Sequence, residues 1–407
     1  MRKAIKYTFI LSLGVLISSM VLFGAPSLKD LKPPKSLPLQ SEFYTVDLVQ
    51  EAKEAGFLGF HVVAPHGSYQ VEGFLSLQKL LHEIEVIETV RRDKSGGGFF
   101  EGASNSVKET GEGFVNLVAH PVQSVGGVGK AAGKLGRGIG GMFRQKEEGE
   151  KTTFGEKVLG GSEREVANEL KVDVYTTNPY LKALIQQIAK ARMGGKGAVM
   201  VVKFFIPVSL LASAVITASG VNSAADRLVN DTDRTELFRL NKNALLALGF
   251  QEEDVKTLLS LPYYSPREAT YLRFYLEALK TVPGYQEMMN AALHADSEQK
   301  ARAILYEGQM ATRDAEEVPK FKRIQVFNEG LAIEESDKVI LVTPYDYLDQ
   351  SHLGTGVMNR ISELKASWSK NSAEIWNGAK ATAGFASLAL LKGVKVRDWL
   401  LIQAAQE

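Results

Sequence analysis

Apolar side chains recur at steps of three and four residues through much of this chain, and this spacing favours a largely helical fold. Between residues 75 and 90 the recurring positions are Leu77, Leu80, Leu81, Ile84 and Ile87. Residues 234–318 continue the pattern as a run of short helices. The spacing predicts a multi-helix bundle or a helical-hairpin array, with a helical domain at residues 151–320.

Turn and cap residues mark where some of these helices begin and end. Ser265 precedes Pro266 and stands three residues before Glu268, which predicts a capping box at a helix start. Gly249 is placed to end another helix, because glycine readily adopts the left-handed backbone found there. The acidic stretch at 231–236 begins like a calcium loop but lacks the glycine of the sharp turn, so we interpret it as a helix N-cap.

Short β-prone runs occupy the two ends of the body. The first three are residues 43–49, 57–64 and 68–74, and with the helix at 75–90 they predict a small α+β module at 42–95. Two later runs, 324–327 and 338–343, predict a β-hairpin in residues 321–350. Residues 351–407 read as C-terminal helices. The predicted fold class is therefore mainly α, with a small N-terminal α+β module and a minor β-hairpin.

The N-terminus has the form of an export leader. Arg2, Lys3 and Lys6 precede an uncharged, largely apolar run at residues 7–23. Two interpretations stay open, a signal peptide of residues 1–25 that is cleaved after Ala25 and an uncleaved anchor formed by residues 7–25. Prolines crowd residues 26–41, which we interpret as a spacer. The leader predicts a periplasmic or secreted protein, or one anchored in the inner membrane if the leader is retained.

Composition narrows the classes of function. The chain has no cysteine, which excludes disulfides and thiolate metal sites. Its formal net charge is +1, so it has no long-range positive field of the kind that attracts nucleic acid. Hydrophobic residues make up 45% of its 407 residues, enough for a packed core.

Residues 96–150 are rich in glycine and form a segment of their own. Between residues 125 and 144 three rows at helical spacing appear, one apolar, one of glycine and one basic. The candidate contact residues for a membrane surface or a partner are Lys130, Lys134, Arg137, Leu135 and Ile139. The alternative is a flexible glycine-rich linker, because glycine is costly in an isolated helix.

A second apolar segment, residues 198–218, is predicted to be a buried central helix. Lys203 interrupts it, Pro207 would kink it, and its clean apolar part at 204–218 is shorter than a bilayer span.

Motifs that carry chemistry are incomplete in this sequence. The GxGxxG pattern at 136–141 lacks a preceding strand, and His82-Glu83 begins a zinc-protease motif whose second histidine is replaced by Val86. A weak His/acid cluster remains, formed by His61, His66, His82 and Glu83. Asp346 follows a predicted strand, where we interpret it as a turn residue. The sequence predicts no metal site and no cofactor.

At Tyr175-Thr176-Thr177-Asn178-Pro179, together with the glycine-rich region and the segment 343–347, the chain resembles a group of uncharacterised exported bacterial proteins. No activity is assigned to that group, so the resemblance implies export and carries over no site residue. We therefore expect an exported envelope protein that acts as a non-enzymatic scaffold or binding module, with peripheral membrane contact through residues 100–144. Its expected partners are a membrane surface or another envelope protein and not nucleic acid, and its oligomeric state is left open. The alternative is a hydrolase of unrecognised type that uses the His/acid cluster.

Overall fold

The computed structural model describes residues 38–51, 56–92, 154–193, 220–313, 317–379 and 381–398. Its first part is an antiparallel meander of three strands followed by a long helix. The strands are β1 (Thr45–Glu51), β2 (Leu58–Ala64) and β3 (Gly67–Glu72), and the helix is α1 (Phe74–Arg92). The predicted strands and helix in this region are confirmed.

Eight further helices follow within the described residues. They are α2 (Phe154–Glu169), α3 (Pro179–Met193), α4 (Gly220–Asp231), α5 (Arg234–Ala247), α6 (Glu252–Ser260), α7 (Pro266–Leu279), α8 (Gln286–Leu293) and α9 (Glu298–Thr312). Ser265 and Glu268 form the predicted capping box at the start of α7. Asp233 caps α5 by accepting hydrogen bonds from the backbone N–H groups of Thr235 and Glu236, so the N-cap prediction is also confirmed. We call α4–α9 the helical array.

The C-terminal part combines strands with crossover helices. A 3₁₀ turn at Val318–Lys320 leads into β4 (Arg323–Phe327), β5 (Gly330–Glu334), β6 (Lys338–Thr343), α10 (His352–Ser367), β7 (Ser372–Asn377), α11 (Ala383–Leu391) and β8 (Val394–Asp398). The sheet order is β4-β5-β6-β7-β8, so strand order follows chain order. The first three strands are antiparallel, whereas β6, β7 and β8 are parallel and are joined through α10 and α11.

The central strands of this five-stranded sheet are buried on both faces. Alternate side chains such as Ile340, Val342 and Trp376 pack against the helical array, and their neighbours Leu341 and Ile375 pack against α10 and α11. Because successive strand residues point to opposite faces, β5, β6 and β7 contribute to both cores, whereas β8 contributes only to the core on the side of α10 and α11. The result is a three-layer arrangement of helices, sheet and helices.

The smaller sheet has its own core with α1, α2 and α3. Asp346, which follows β6, joins the two sheets. Its two carboxylate oxygens accept hydrogen bonds from the backbone N–H groups of Leu58 and Phe74, each at 2.9 Å. Asp346 is therefore a buried link between distant parts of the chain.

The predicted fold class is wrong. The described residues form eleven helices and two sheets, of three and five strands, and the strands predicted as a minor hairpin belong to a mixed α/β layer. The strands predicted at 324–327 and 338–343 do not pair with each other, because β5 lies between them and was not predicted. β7 and β8 were not predicted either, and they lie where only helices were expected. β7 and β8 have six and five residues. β7 pairs in parallel with β6, and β8 pairs in parallel with β7, and a local pattern does not show such contacts.

Several predictions fall outside the described residues. They concern the leader at 1–25, nearly all of the spacer at 26–41, the glycine-rich segment at 96–150 and the central apolar helix at 198–218. Among the helices that the structure does describe, none combines the length and apolar character needed to cross a bilayer.

Candidate functional site

Charged side chains from five parts of the chain meet where the smaller sheet and α1 face the helical array. Their positions are α1, the loop between α2 and α3, α4, α7 and α9. We call this cluster the polar joint and define it by Ser76, Lys79, Glu83, Asp173, Asp226, Arg267, Glu298 and Arg302.

Arg267 is the centre of one half of the polar joint. Its Nε lies 3.0 Å from Oδ1 of Asp173, and its guanidinium also pairs with Asp226. Another nitrogen of Arg267 donates to Oδ1 of Asn230 at 3.0 Å, and the Tyr271 hydroxyl donates to Asp226 at 2.5 Å. A planar guanidinium suits such a site because it presents several donors in fixed directions.

Arg302 is the centre of the other half. It donates to Oγ of Ser76 at 2.5 Å, pairs with Glu298 one turn earlier on α9, and has its Nε 3.8 Å from a carboxylate oxygen of Glu268. Lys79 lies between the halves, with Nζ 3.5 Å from Oδ2 of Asp173. Each cation of the polar joint is therefore close to at least one carboxylate.

The Tyr175-Thr176-Thr177-Asn178-Pro179 motif contributes a carboxylate contact and a helix start. The Thr176 hydroxyl donates to Oε1 of Glu83 at 2.7 Å and accepts from the N–H of Asn178 at 3.0 Å. The Asn178 side chain accepts from the N–H of Tyr180 at 3.2 Å, so it caps α3, with Pro179 at the first helical position. The motif thus fixes Glu83 and starts the next helix.

Burial and pairing shift the pKa values of the polar joint in opposite directions. Burial raises the pKa of Glu83, Asp226 and Glu298, and the neighbouring cations offset this only in part. Burial also acts on Asp173, but Arg267 and Lys79 outweigh it and hold its pKa below the usual range. Perturbed carboxyl groups of this kind occur at functional sites and in structural ion-pair networks alike.

The space enclosed by these groups decides between those roles. A cavity of about 30 Å³ lies beside them and is lined by Tyr69, Val71, Ser76, Lys79, Leu80, Glu83, Thr177 and Arg302. One water molecule needs about 10–15 Å³ of such volume, so this cavity holds roughly two. That volume is far below the roughly 300–1,000 Å³ of small-molecule sites.

The structure does not bring the three candidate histidines together. His61 is half-buried on β2. His66 is buried in the β2–β3 turn, with Nδ1 2.6 Å from a carboxylate oxygen of Glu88. His82 is buried on α1, where its Nε2 lies 2.9 Å from the carbonyl oxygen of Lys171.

Their surroundings are those of structural side chains. The ring of His66 makes edge contacts with Tyr69 and Tyr180, and only 1% of its side chain is exposed. Burial lowers the pKa of His82, so its ring is neutral and donates to the Lys171 carbonyl. Of the four cluster candidates, Glu83 alone lines the cavity. Within the described ranges no three His, Asp or Glu side chains are grouped to hold a metal ion.

The candidate contact residues of the glycine-rich segment cannot be placed, and several residues of the polar joint were not predicted. Lys130, Lys134, Arg137, Leu135 and Ile139 lie outside the described residues. Arg267 and Asp173 were missed because 94 positions separate them, and no local spacing reports such a contact. Glu298 and Arg302 offered a signal, since opposite charges four residues apart on a helix form a pair.

A wider groove lies on the surface between α4, α5 and α7. Its volume is about 470 Å³, and it is lined by Ala224, Arg227, Leu228, Asp231, Leu240, Arg273 and Phe274. The Arg273 guanidinium lies over the Phe274 ring, 4.2 Å from its centroid, and also donates to Glu277 at 2.9 Å. We call this the arginine groove. Its volume is in the range of small-molecule sites.

Comparison of the chain with protein-family models, with curated proteins and with solved structures finds no match.

Proposed function

We propose that this chain is an exported envelope protein that acts as a non-enzymatic binding module. The observation that carries the proposal is a contrast between two spaces. The charged polar joint surrounds a cavity of about 30 Å³, whereas the arginine groove offers about 470 Å³ with a lining of both apolar and charged side chains. The polar joint thus has the character of a structural joint, and the arginine groove that of a binding surface.

The charges of the polar joint support the structural part of this proposal. A general acid or base must reach a proton on a substrate, at hydrogen-bond distance or through one water. Glu83 is instead bonded to Thr176, and Arg302 is held by Ser76 and Glu298. These contacts fix α1 and the loop between α2 and α3 relative to the helical array.

The lining of the arginine groove indicates the class of ligand. Leu228, Leu240 and Phe274 provide an apolar surface, and the two cations Arg227 and Arg273 outnumber the one acid of the lining, Asp231. An aliphatic chain with a carboxylate or phosphate head matches both features. The proposed ligand is therefore an amphiphilic anion.

Titration calorimetry of the full chain with oleate tests the ligand. We expect saturable binding that Arg227→Glu and Leu240→Asp each weaken by about tenfold, roughly the effect of one lost contact of 1.4 kcal/mol. Arg239→Glu is the matched control, because Arg239 is an exposed arginine on α5 that does not line the groove. Equal binding by all four proteins, or no binding by the wild type, would contradict the proposal.

A separate experiment tests the location. The leader supports export because a basic start precedes an apolar run. Alkaline phosphatase fused to the C-terminus should be active in cells, since it requires the periplasm, and the same fusion to β-galactosidase should be inactive. The reverse pattern would show that the body stays in the cytoplasm.

A further inference from the structure

Two leucines on α11 are the most exposed large apolar side chains in the described part of the chain. Leu390 is 79% exposed and Leu391 is 85% exposed. The next in order, Met193 and Val63, are 47% and 42% exposed. Two adjacent leucines open to solvent expose an apolar surface that a partner or a membrane would cover.

The topology places these leucines at one edge of the molecule. Because β6, β7 and β8 are parallel, α10 and α11 must each run back in the opposite direction. Their C-terminal ends therefore lie at the edge where the parallel strands begin. Leu390 and Leu391 stand in the last turn of α11, at that edge.

Basic side chains share this edge with the leucines. Lys392 follows α11 directly as its C-cap, Lys395 lies near the start of β8 with 63% of its side chain exposed, and Lys365 lies in the last turn of α10. We call the surface formed by Leu390, Leu391, Lys365, Lys392 and Lys395 the leucine tip.

The acidic groups near the same edge are mostly paired. Glu334 pairs with Lys370 at 2.6 Å and with Arg323 at 2.5 Å, and Glu335 pairs with Lys338 at 3.2 Å. Arg397 and Glu374 likewise pair, with Nε 3.1 Å from a carboxylate oxygen, whereas Lys395 lies 4.0 Å from Glu374.

Asp337 is exposed in the turn before β6 and is the one acid of this turn without an ion pair among the described residues. The three lysines of the leucine tip outnumber it. At this edge, the two exposed leucines are therefore flanked by an excess of basic side chains.

We propose that the leucine tip docks on a bilayer surface that contains anionic lipid. Exposed leucines insert among the acyl chains at the interface, and lysines beside them contact the lipid phosphates. The lysines of the leucine tip favour a membrane over a second copy of the chain, because two identical basic surfaces repel each other. The inference rests on the proposed envelope location, where such a surface is within reach.

The absence of cysteine makes a single-label experiment possible. Ser387→Cys places one thiol on the exposed face of α11, one turn before the leucines, and leaves both of them intact. Glu253→Cys, on the exposed start of α6 in the helical array, provides the control position. Each full-length variant is labelled with nitrobenzoxadiazole and mixed with vesicles that contain phosphatidylglycerol, or with vesicles of phosphatidylcholine alone.

The label on Ser387→Cys should shift to shorter wavelength with the anionic vesicles and be quenched by nitroxide-labelled acyl chains, and the label on Glu253→Cys should not. Lys392→Glu with Lys395→Glu, added to Ser387→Cys, should weaken the apparent affinity by about tenfold or more. Leu390→Ser with Leu391→Ser should abolish the shift. If the leader alone holds the chain on the vesicle, neither label responds.

Three results would overturn the proposal. They are no response with any vesicle, an equal response of both labels, and a concentration-dependent response without vesicles, which would show self-association. The alkaline phosphatase fusion tests location without reference to the leucine tip. Failure of the surface and failure of the envelope location are therefore distinguishable.

Discussion

At the scale of single residues, this protein places charged groups at two kinds of buried position. In the polar joint each charge lies beside an opposite one, as with Arg302 and Glu298. Glu307 on α9 is different, because it is only 7% exposed and has neither an ion pair nor a side-chain hydrogen bond to another described residue. The two kinds of site respond differently to substitution and to pH.

Removal of Arg302 should destabilise the protein strongly. Arg302→Met leaves the buried Glu298 carboxylate without its cation, so we expect the free energy of unfolding in urea to fall by about 3–5 kcal/mol. The double variant Arg302→Met with Glu298→Gln should recover part of the loss. Arg239→Met is the control, since the pair it forms with Glu236 is exposed. A small effect of Arg302→Met would mean that the polar joint is not structural.

Glu307 should make the protein less stable at alkaline pH. Burial raises its pKa from 4.5 to about 8, so the folded state holds the proton more tightly than the unfolded chain does. Its contribution to stability is complete below pH 4.5 and is lost as the pH rises through about 8. Glu307→Gln should therefore raise the free energy of unfolding at pH values above that pKa by about 2 kcal/mol or more and change it little in mild acid.

Urea unfolding in mild acid and again at a pH above the Glu307 pKa measures the difference in unfolding free energy between Glu307→Gln and the wild type. Glu253→Gln, on the exposed start of α6, is the matched control and should leave the pH dependence as it is in the wild type. An unchanged pH dependence in Glu307→Gln would contradict the assignment.

At the scale of elements, local chemistry predicts helix starts better than it predicts strands. The capping box of Ser265 and Glu268 and the N-cap Asp233 each involve residues only two or three positions apart, and the structure confirms both predictions. β7 and β8 are short, and a neighbouring strand that lies beside them only after folding stabilises them, so the alternation of Val394-Lys395-Val396-Arg397 in β8 was a weak local signal. Apart from the Glu298–Arg302 pair on one helix, the polar joint escapes prediction for the same reason.

Glycine positions at element ends give a paired prediction. Gly249 after α5 and Gly330 at the start of β5 both have positive φ, +90° and +143°. A Cβ on Gly249 meets nothing within 4 Å, whereas a Cβ on Gly330 would lie 2.1 Å from the Val342 carbonyl oxygen.

Gly249→Ala should therefore cost about 1 kcal/mol of backbone strain, and Gly330→Ala about 3 kcal/mol or more, because β5 must also move away from β6. Thermal unfolding of the two variants measures the order. Equal melting temperatures would show that the β4–β5 turn is free to shift.

At the scale of the whole molecule, the layers share cores. Trp376 on β7 packs in the same cluster as the helical array, and Tyr347 and Ala379 from the C-terminal part pack in the core of the smaller sheet. Asp346 adds the two backbone hydrogen bonds that link the sheets. These shared contacts favour cooperative unfolding.

Two optical probes test this cooperativity. Tryptophan fluorescence reports the C-terminal part, which holds all three tryptophans, and far-ultraviolet circular dichroism reports mainly the helices. In urea the two transitions should coincide. Asp346→Asn leaves one of two backbone N–H groups facing an amide instead of an oxygen, so it should lower both midpoints, at a cost of about 1–3 kcal/mol. Separate transitions in the wild type would show that the layers unfold independently.

The agreement of strand order with chain order governs how such a polypeptide assembles when it is delivered from its N-terminus. Each strand after the first in its sheet pairs with one already present, so neither sheet waits for later sequence. Asp346 closes a much longer loop of the chain, because it bonds to backbone groups 288 and 272 positions earlier. The smaller sheet must therefore stay folded without the two Asp346 hydrogen bonds until most of the chain has been delivered. The contact between the two sheets forms late.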